Sequence, residues 1–109
     1  GQATRVRSLL RRDFARAFAD CDALVSATSP VPAWVIGSMA DDPVAMYRCD
    51  ALTVPASLAG LPALSMPCGF TAGRLPIGLQ LTAPALGEDR LLQIAHAFQQ
   101  HTDWHRHRA

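Results

Sequence analysis

Two short apolar runs on either side of a glycine-containing turn constrain the fold more than any other part of the sequence. Residues 63–68 and 75–82 carry mostly apolar side chains, and residues 69–74 between them include two glycines. This spacing is typical of a β-hairpin with antiparallel strands. Pro67 has no backbone N–H to donate, so we expect it at a strand end, a bulge or an edge of the sheet.

A long amphipathic segment precedes the hairpin. Residues 5–20 carry apolar side chains at three- and four-residue spacing, which predicts a helix with Thr4 as its N-cap. The members of this apolar stripe are Val6, Leu9, Leu10, Phe14, Ala17 and Phe18. A short apolar run at residues 22–27 then predicts a buried strand, and two prolines in residues 28–33 predict an extended loop.

Three further helical segments follow from local signals. Asp42 before Pro43 predicts a helix start, with the helix running to about Leu52. Residues 56–59 predict one more turn, which Gly60 ends. Residues 88–100 predict a last helix. Its expected buried face consists of Leu91, Leu92, Ala95 and Phe98.

The order of these elements predicts the α/β class. Three strands and their helices could form a small α/β layer, or they could be the last strands of a larger sheet. Charged residues make up 17% of the 109 residues, below the usual quarter for a soluble domain, while half of the residues are apolar. This balance fits a piece of a larger body, although a weakly charged intact domain is an alternative.

The positive charges have an uneven distribution. All ten are arginines, and five of them lie in the first sixteen residues: Arg5, Arg7, Arg11, Arg12 and Arg16. A basic patch of this kind could bind phosphate. Interleaved aspartates and the lack of an accompanying aromatic set favour a solvated helix face instead, so we expect no direct contact with nucleic acid.

The cysteines and the apolar runs bear on the compartment. Cys21, Cys49 and Cys68 form an odd set without a C-x-x-C pair, so neither a disulfide framework nor a zinc site is expected. Buried, reduced thiols in a cytoplasmic protein are the simpler interpretation. The sequence contains no apolar run long enough for a membrane span.

The residues that could carry chemistry are few. The sequence has no lysine, no G-x-S-x-G motif and no phosphate-binding glycine loop. His101, His105 and His107 resemble a metal cluster in spacing, but a polar C-terminal tail is the preferred interpretation. His96 is expected to be packed or half-exposed. We therefore predict no catalytic residue, no metal site and no cofactor in this segment.

Asp50 is the one candidate binding residue. It lies between Arg48 and the largely apolar residues 51–54. A carboxylate in such surroundings needs a partner. A structural ion pair with Arg48 and contact with a ligand ammonium group are the two interpretations, and the residues alone favour the ion pair.

A family resemblance covers nearly the whole chain. Residues 46–69, MYRCDALTVPASLAGLPALSMPCG, resemble the late conserved block of amidase-signature enzymes. The match extends through LPIGLQL at 75–81, EDRLLQIAHAF at 88–98 and TDWH at 102–105. Asp42-Pro43 and the closing TDWH resemble the branch formed by the A subunits of bacterial glutamyl-tRNA(Gln) amidotransferases.

The resemblance implies a fold and a function. Amidase-signature enzymes have a mixed central sheet between helix layers, and this chain would be the C-terminal part of that single domain. They hydrolyse amides with two serines and a lysine that lie upstream of this block. In the A-subunit branch the amide is that of glutamine, and the ammonia passes to the B subunit, where it converts Glu-tRNA(Gln) to Gln-tRNA(Gln). The C subunit braces the pair.

One functional residue carries over from the resemblance. The aspartate of the M-Y-x-x-D block contacts the glutamine α-ammonium in this branch, and here it is Asp50. The resemblance thus implies that the segment binds substrate and is inactive by itself. Two alternatives stay open: the C-terminal part of another amidase-signature amide hydrolase, and a binding module without catalysis. A fragment would also be expected to self-associate through unpaired strands.

Overall fold

The computed structural model describes residues 1–108. The N-terminal amphipathic segment forms α1, Gln2–Phe18, and the strand that follows is β1, Leu24–Ala27. Two short helices come next, α2 at Pro43–Arg48 and α3 at Val54–Ala59. The hairpin is formed by β2, Ala63–Phe70, and β3, Pro76–Thr82, and α4 spans Glu88–His101. A 3₁₀-helix at Trp104–Arg106 follows α4.

The three strands form one antiparallel sheet with the order β1-β3-β2. β3 is therefore the central strand, and it pairs with β1 through Val25 opposite Leu81 and with β2 through Leu64 opposite the same residue. The predicted α/β class and the predicted hairpin are both confirmed.

Pro67 lies at a β-bulge on an edge strand, where the absence of a backbone N–H costs least. The pairing of β2 with β3 shifts register between Pro67 and Gly69, so a β-bulge interrupts the ladder there. β2 is also an edge strand of the sheet. Both observations agree with the prediction of a bulge or an edge for this proline.

The helix boundaries differ from the predicted ones in three places. α1 begins at Gln2 after Gly1, so Thr4 is inside the helix and is not its cap. α2 ends at Arg48, earlier than predicted, because residues 49–53 form successive turns. Residues 54–59 form a separate helix with Pro55 in its first turn, where proline is tolerated, and Gly60 ends it with a φ of 72°.

The core lies between the sheet and α4. Met66, Leu81, Ala83 and Leu91 are buried together, and the partly buried Ile94, Ala95 and Phe98 pack against them. The predicted inclusion of Leu92 in this face was wrong, since Leu92 is 63% exposed. α4 turns Ile94 toward the sheet in its place.

Large apolar side chains lie on the surface, which agrees with the low share of charged residues. Val35 is 78% exposed, Ile36 100% and Leu86 91%. The three cysteines are free thiols, but the prediction that they are buried was wrong: Cys21 is exposed, and Cys49 and Cys68 are intermediate. Within residues 1–108, no helix combines the length and the apolar character that a membrane crossing needs.

Candidate functional site

Asp50 lies in the chain of turns that connects α2 to α3. Asp42 starts α2, and its Oδ1 accepts a hydrogen bond of 3.0 Å from the Ala45 amide, as its position before Pro43 predicts. The helix ends at Arg48, and the Asp50 amide still donates to the carbonyl of Tyr47 at 3.1 Å. The capped helix therefore fixes where the turn begins.

The backbone of Asp50 is held from the other side as well. Its carbonyl oxygen accepts hydrogen bonds from the amides of Thr53 at 3.1 Å and Val54 at 3.0 Å. The hydroxyl of Thr53 donates to the same carbonyl at 3.2 Å. The turn that presents the Asp50 side chain is thus closed by its own hydrogen bonds.

The carboxylate of Asp50 is exposed, and in residues 1–108 it accepts no hydrogen bond and forms no ion pair. The predicted structural alternative, an ion pair with Arg48, is therefore not formed. The predicted apolar enclosure is also missing in this chain, because Asp50 and Ala51 both face solvent.

A buried glutamine lies beneath this turn. Gln80, on the central strand β3, is 6% exposed, and its Nε2 donates to the carbonyl oxygen of Leu52 at 2.8 Å. This bond ties residues 50–53 to the middle of the sheet. Sequence reasoning did not single out Gln80; a lone amide within the apolar run of residues 75–81 was the signal that could have found it.

A cleft of about 560 Å³ opens beside the same face of the sheet. The proline-containing loop after β1 forms one wall, and Ser65, Ile77 and Gly78 contribute from β2 and β3. Thr28 holds the loop in place, because its amide donates to the carbonyl of Gly78 at 3.1 Å and its hydroxyl lies 2.6 Å from that of Ser65.

The cleft and the Asp50 turn adjoin the same face of β3. Gly78 and Gln80 are two residues apart, so they lie on one face of the strand at a spacing of about 7 Å. Leu79 and Leu81 face the opposite side, toward α4. The strand thus separates an apolar face, which forms the core, from a polar face, which carries the candidate site.

The histidines do not come together as a metal site. Among residues 1–108, no group of three or more metal-binding side chains is found. Nε2 of His107 lies 3.3 Å from Oδ2 of Asp103, and the ring of His96 shares a hydrogen bond of 3.0 Å with Gln100. His96 is exposed rather than packed.

The N-terminal arginines form a solvated helix face, as expected. All five are exposed, and Arg11 also donates from Nε to the carbonyl of Ala59 at 3.3 Å. This bond links α1 to the end of α3. Arg11 therefore contributes to packing between helices, and the other four arginines contribute to solvation.

Comparison with known proteins settles the family. The family model named Amidase matches residues 1–92. The chain belongs to the amidase family. The predicted resemblance is therefore confirmed, together with its fold class, since solved amidase-family structures share the arrangement of helices and strands seen here.

Several relatives within the family are similar over nearly all of this chain. The A subunit of glutamyl-tRNA(Gln) amidotransferase from Azoarcus sp. (strain BH72) is 57% identical over 95% of the chain, and the chain spans about 21% of that protein. The corresponding protein from Synechococcus sp. (strain JA-2-3B'a(2-13)) is 51% identical over 98% of the chain, again about 21% of the relative.

Solved structures give the same result. The crystal structure of the glutamyl-tRNA(Gln) amidotransferase A subunit from Thermotoga maritima superposes with a TM-score of 0.85 at 35% identity, over 91% of this chain and 22% of that one. A 6-aminohexanoate cyclic dimer hydrolase superposes with a TM-score of 0.81 at 27% identity, over 97% of this chain and 24% of that one.

Proposed function

We propose that this amidase-family segment is the C-terminal part of the domain of a glutamyl-tRNA(Gln) amidotransferase A subunit, and that Asp50 binds the α-ammonium group of glutamine. The A subunits from Azoarcus and Synechococcus are at least 51% identical to the chain over most of its length. The observation that carries the assignment to Asp50 is its exposed carboxylate without a protein partner in residues 1–108.

The proposed division of labour places the chemistry elsewhere in the full protein. Amide hydrolysis through an acyl intermediate needs an activated nucleophile and a base. This chain contains no lysine, so the serine–serine–lysine set of the family is supplied by the upstream part of the domain. The segment contributes substrate binding through Asp50 and one wall of the site.

The partners follow from the same assignment. The full A subunit would work with a B subunit, which uses the released ammonia to convert Glu-tRNA(Gln) to Gln-tRNA(Gln), and with a C subunit that braces the pair. The A subunit would need no direct contact with nucleic acid, and the reaction places it in the cytoplasm. Copurification of the full protein with both partners tests this part of the proposal.

A second candidate is an amide hydrolase with a different substrate. The superposition on 6-aminohexanoate cyclic dimer hydrolase supports it, because that fold similarity is nearly as strong. A cyclic amide of that kind has no α-ammonium group, so a negative charge at Asp50 would contribute nothing to its binding.

Kinetics of the full-length protein distinguish the two candidates. Asp50→Asn keeps the shape of the side chain and removes its charge. A charge-assisted contact contributes roughly ten- to a hundredfold in binding. We therefore expect KM for glutamine to rise by about that factor, with a smaller fall in kcat, because the ammonium group is remote from the reacting amide. Hydrolysis of a simple aliphatic amide should be unchanged.

Asp41→Asn is the matched control. Asp41 is another exposed aspartate, on the loop before α2, and removal of its charge should change neither KM. Equal losses on glutamine and on the aliphatic amide in Asp50→Asn would contradict substrate recognition and leave Asp50 with a structural role.

A further inference from the structure

The side-chain amide of Gln80 is buried in the middle of the sheet, where a polar group needs a partner. Gln80 is 6% exposed and lies on β3, the central strand, which pairs with both β1 and β2. The residues opposite it are Ser26 on β1 and Ser65 on β2. Among the described residues, the carbonyl of Leu52 is the acceptor for its Nε2, at 2.8 Å.

The acceptor belongs to the turn that carries Asp50. Leu52 lies two residues after Asp50, and the carbonyl of Asp50 is bonded to the amides of Thr53 and Val54 around it. These local bonds make residues 50–53 one compact unit. The bond from Gln80 attaches that unit to the sheet across 28 residues of sequence.

The Asp50 side chain is exposed at the surface of its turn. Neither an ion pair nor a hydrogen bond holds its carboxylate within residues 1–108. Its position therefore depends on the backbone of the turn, and the part-buried bond from Gln80 ties that turn to the sheet.

We propose that Gln80 is a positioning residue for substrate binding, which sets the location of Asp50 through the Leu52 carbonyl. This inference rests on the proposed role of Asp50. Without the bond, the turn keeps its internal hydrogen bonds but shifts relative to the cleft beside Gly78. Binding of the α-ammonium weakens, while the reaction at the amide of a substrate without that group continues.

Gln80→Met in the full-length protein tests the proposal, because methionine has a similar length and volume but donates no hydrogen bond. We expect KM for glutamine to rise roughly two- to tenfold, the value of one neutral hydrogen bond. Values of kcat/KM for a simple aliphatic amide should stay within about twofold of wild type.

Thr82→Val is the matched control on the same strand. Thr82 is 5% exposed and lies two residues beyond Gln80, and within residues 1–108 its side chain donates no hydrogen bond to the turn at 50–53. The substitution removes the hydroxyl of a buried residue on the same face without touching the turn. Thr82→Val should leave the ratio of kcat/KM for glutamine to kcat/KM for the aliphatic amide unchanged.

A double-mutant cycle with Asp50→Asn separates this inference from the proposed function. If Gln80 acts through Asp50, Gln80→Met should add little to the KM of Asp50→Asn. Additive effects in the double variant would overturn the positioning role even if Asp50 recognises glutamine. Equal losses on glutamine and on the aliphatic amide in Asp50→Asn itself would instead overturn the proposed function.

Gln80→Asn provides a second, milder variant. Its amide is one methylene shorter and cannot span the same distance to Leu52, so the same selective rise in KM is expected. Equal losses on both substrates in both variants, or failure of both to fold, would assign Gln80 to the stability of the sheet and contradict the proposal.

Discussion

The hydroxyl oxygens of Thr28 and Ser65 lie 2.6 Å apart, directly over the α-carbon of Gly78. A Cβ added to Gly78 would lie 2.9 Å from each of these two oxygens and 3.2 Å from Cβ of Thr28. The hydrogen-bonded pair and the glycine therefore depend on each other. Together they fix the loop that forms one wall of the cleft.

Gly78→Ala should destabilise the chain by about 1–3 kcal/mol, because the loop must move away from the sheet to make room. Gly73→Ala is the control: its Cβ would make an ordinary contact at 3.8 Å with Thr71. Urea denaturation of both variants measures the difference. An unchanged urea midpoint for Gly78→Ala would show that the Thr28–Ser65 hydrogen bond can move away from Gly78 without loss of stability.

Truncation to alanine should cost more stability at a side chain buried between the sheet and α4 than at an exposed side chain on α4. Leu81→Ala removes a side chain that is 2% exposed and should cost about 2–5 kcal/mol of unfolding free energy. Leu92→Ala, at 63% exposure, should cost less than about 0.5 kcal/mol. Comparable losses would mean that α4 packs with Leu92 toward the sheet, as its sequence had suggested.

The sequence did not predict correctly that Leu92 is exposed. The three- and four-residue spacing identified α4 and most of its buried face, but Leu91 and Leu92 are adjacent, and periodicity alone could not tell which edge of the stripe meets the sheet. The sheet order, with β3 central, was also beyond local signals, since it depends on pairing between β1 and β3. By contrast, Asp42 and Gly60 act locally, and both helix boundaries were predicted correctly.

The candidate site shows the same division. Asp50 was singled out by its apolar neighbours in the sequence, whereas its binding role came from the family resemblance and stays a prediction. Gln80 was missed, because its importance comes from a contact with Leu52 that only the folded chain creates. The expectation of an ion pair between Asp50 and Arg48 failed, since closeness in sequence does not bring two side chains together on consecutive turns.

The 109-residue chain should hydrolyse no amide by itself. It has no lysine to serve as a base, and its histidines are near the C-terminus without a serine partner among the hydrogen bonds of residues 1–108. Ammonia release from glutamine by the purified chain is the measurement. Turnover above the buffer background that disappears when a serine of this chain is mutated would contradict the prediction.

The isolated chain should also self-associate. β1 and β2 are both edge strands of the sheet. Val25 on β1 is opposite Leu81, so it lies on the same face of the sheet as the core beneath α4, yet it is 65% exposed. Light scattering over a concentration series should show a mass above that of one chain. Val25→Lys should lower that mass by blocking the edge, and a stable wild-type monomer at high concentration would favour a self-contained module.

The central position of β3 also sets an order of events during synthesis on the ribosome. β2 can pair with β3 as soon as the hairpin is complete, but Val25 cannot pair with Leu81 until a further 56 positions have been synthesised. Closing that long loop is slower than closing the hairpin. Within this sheet, β1 therefore joins only after the β2–β3 hairpin has formed.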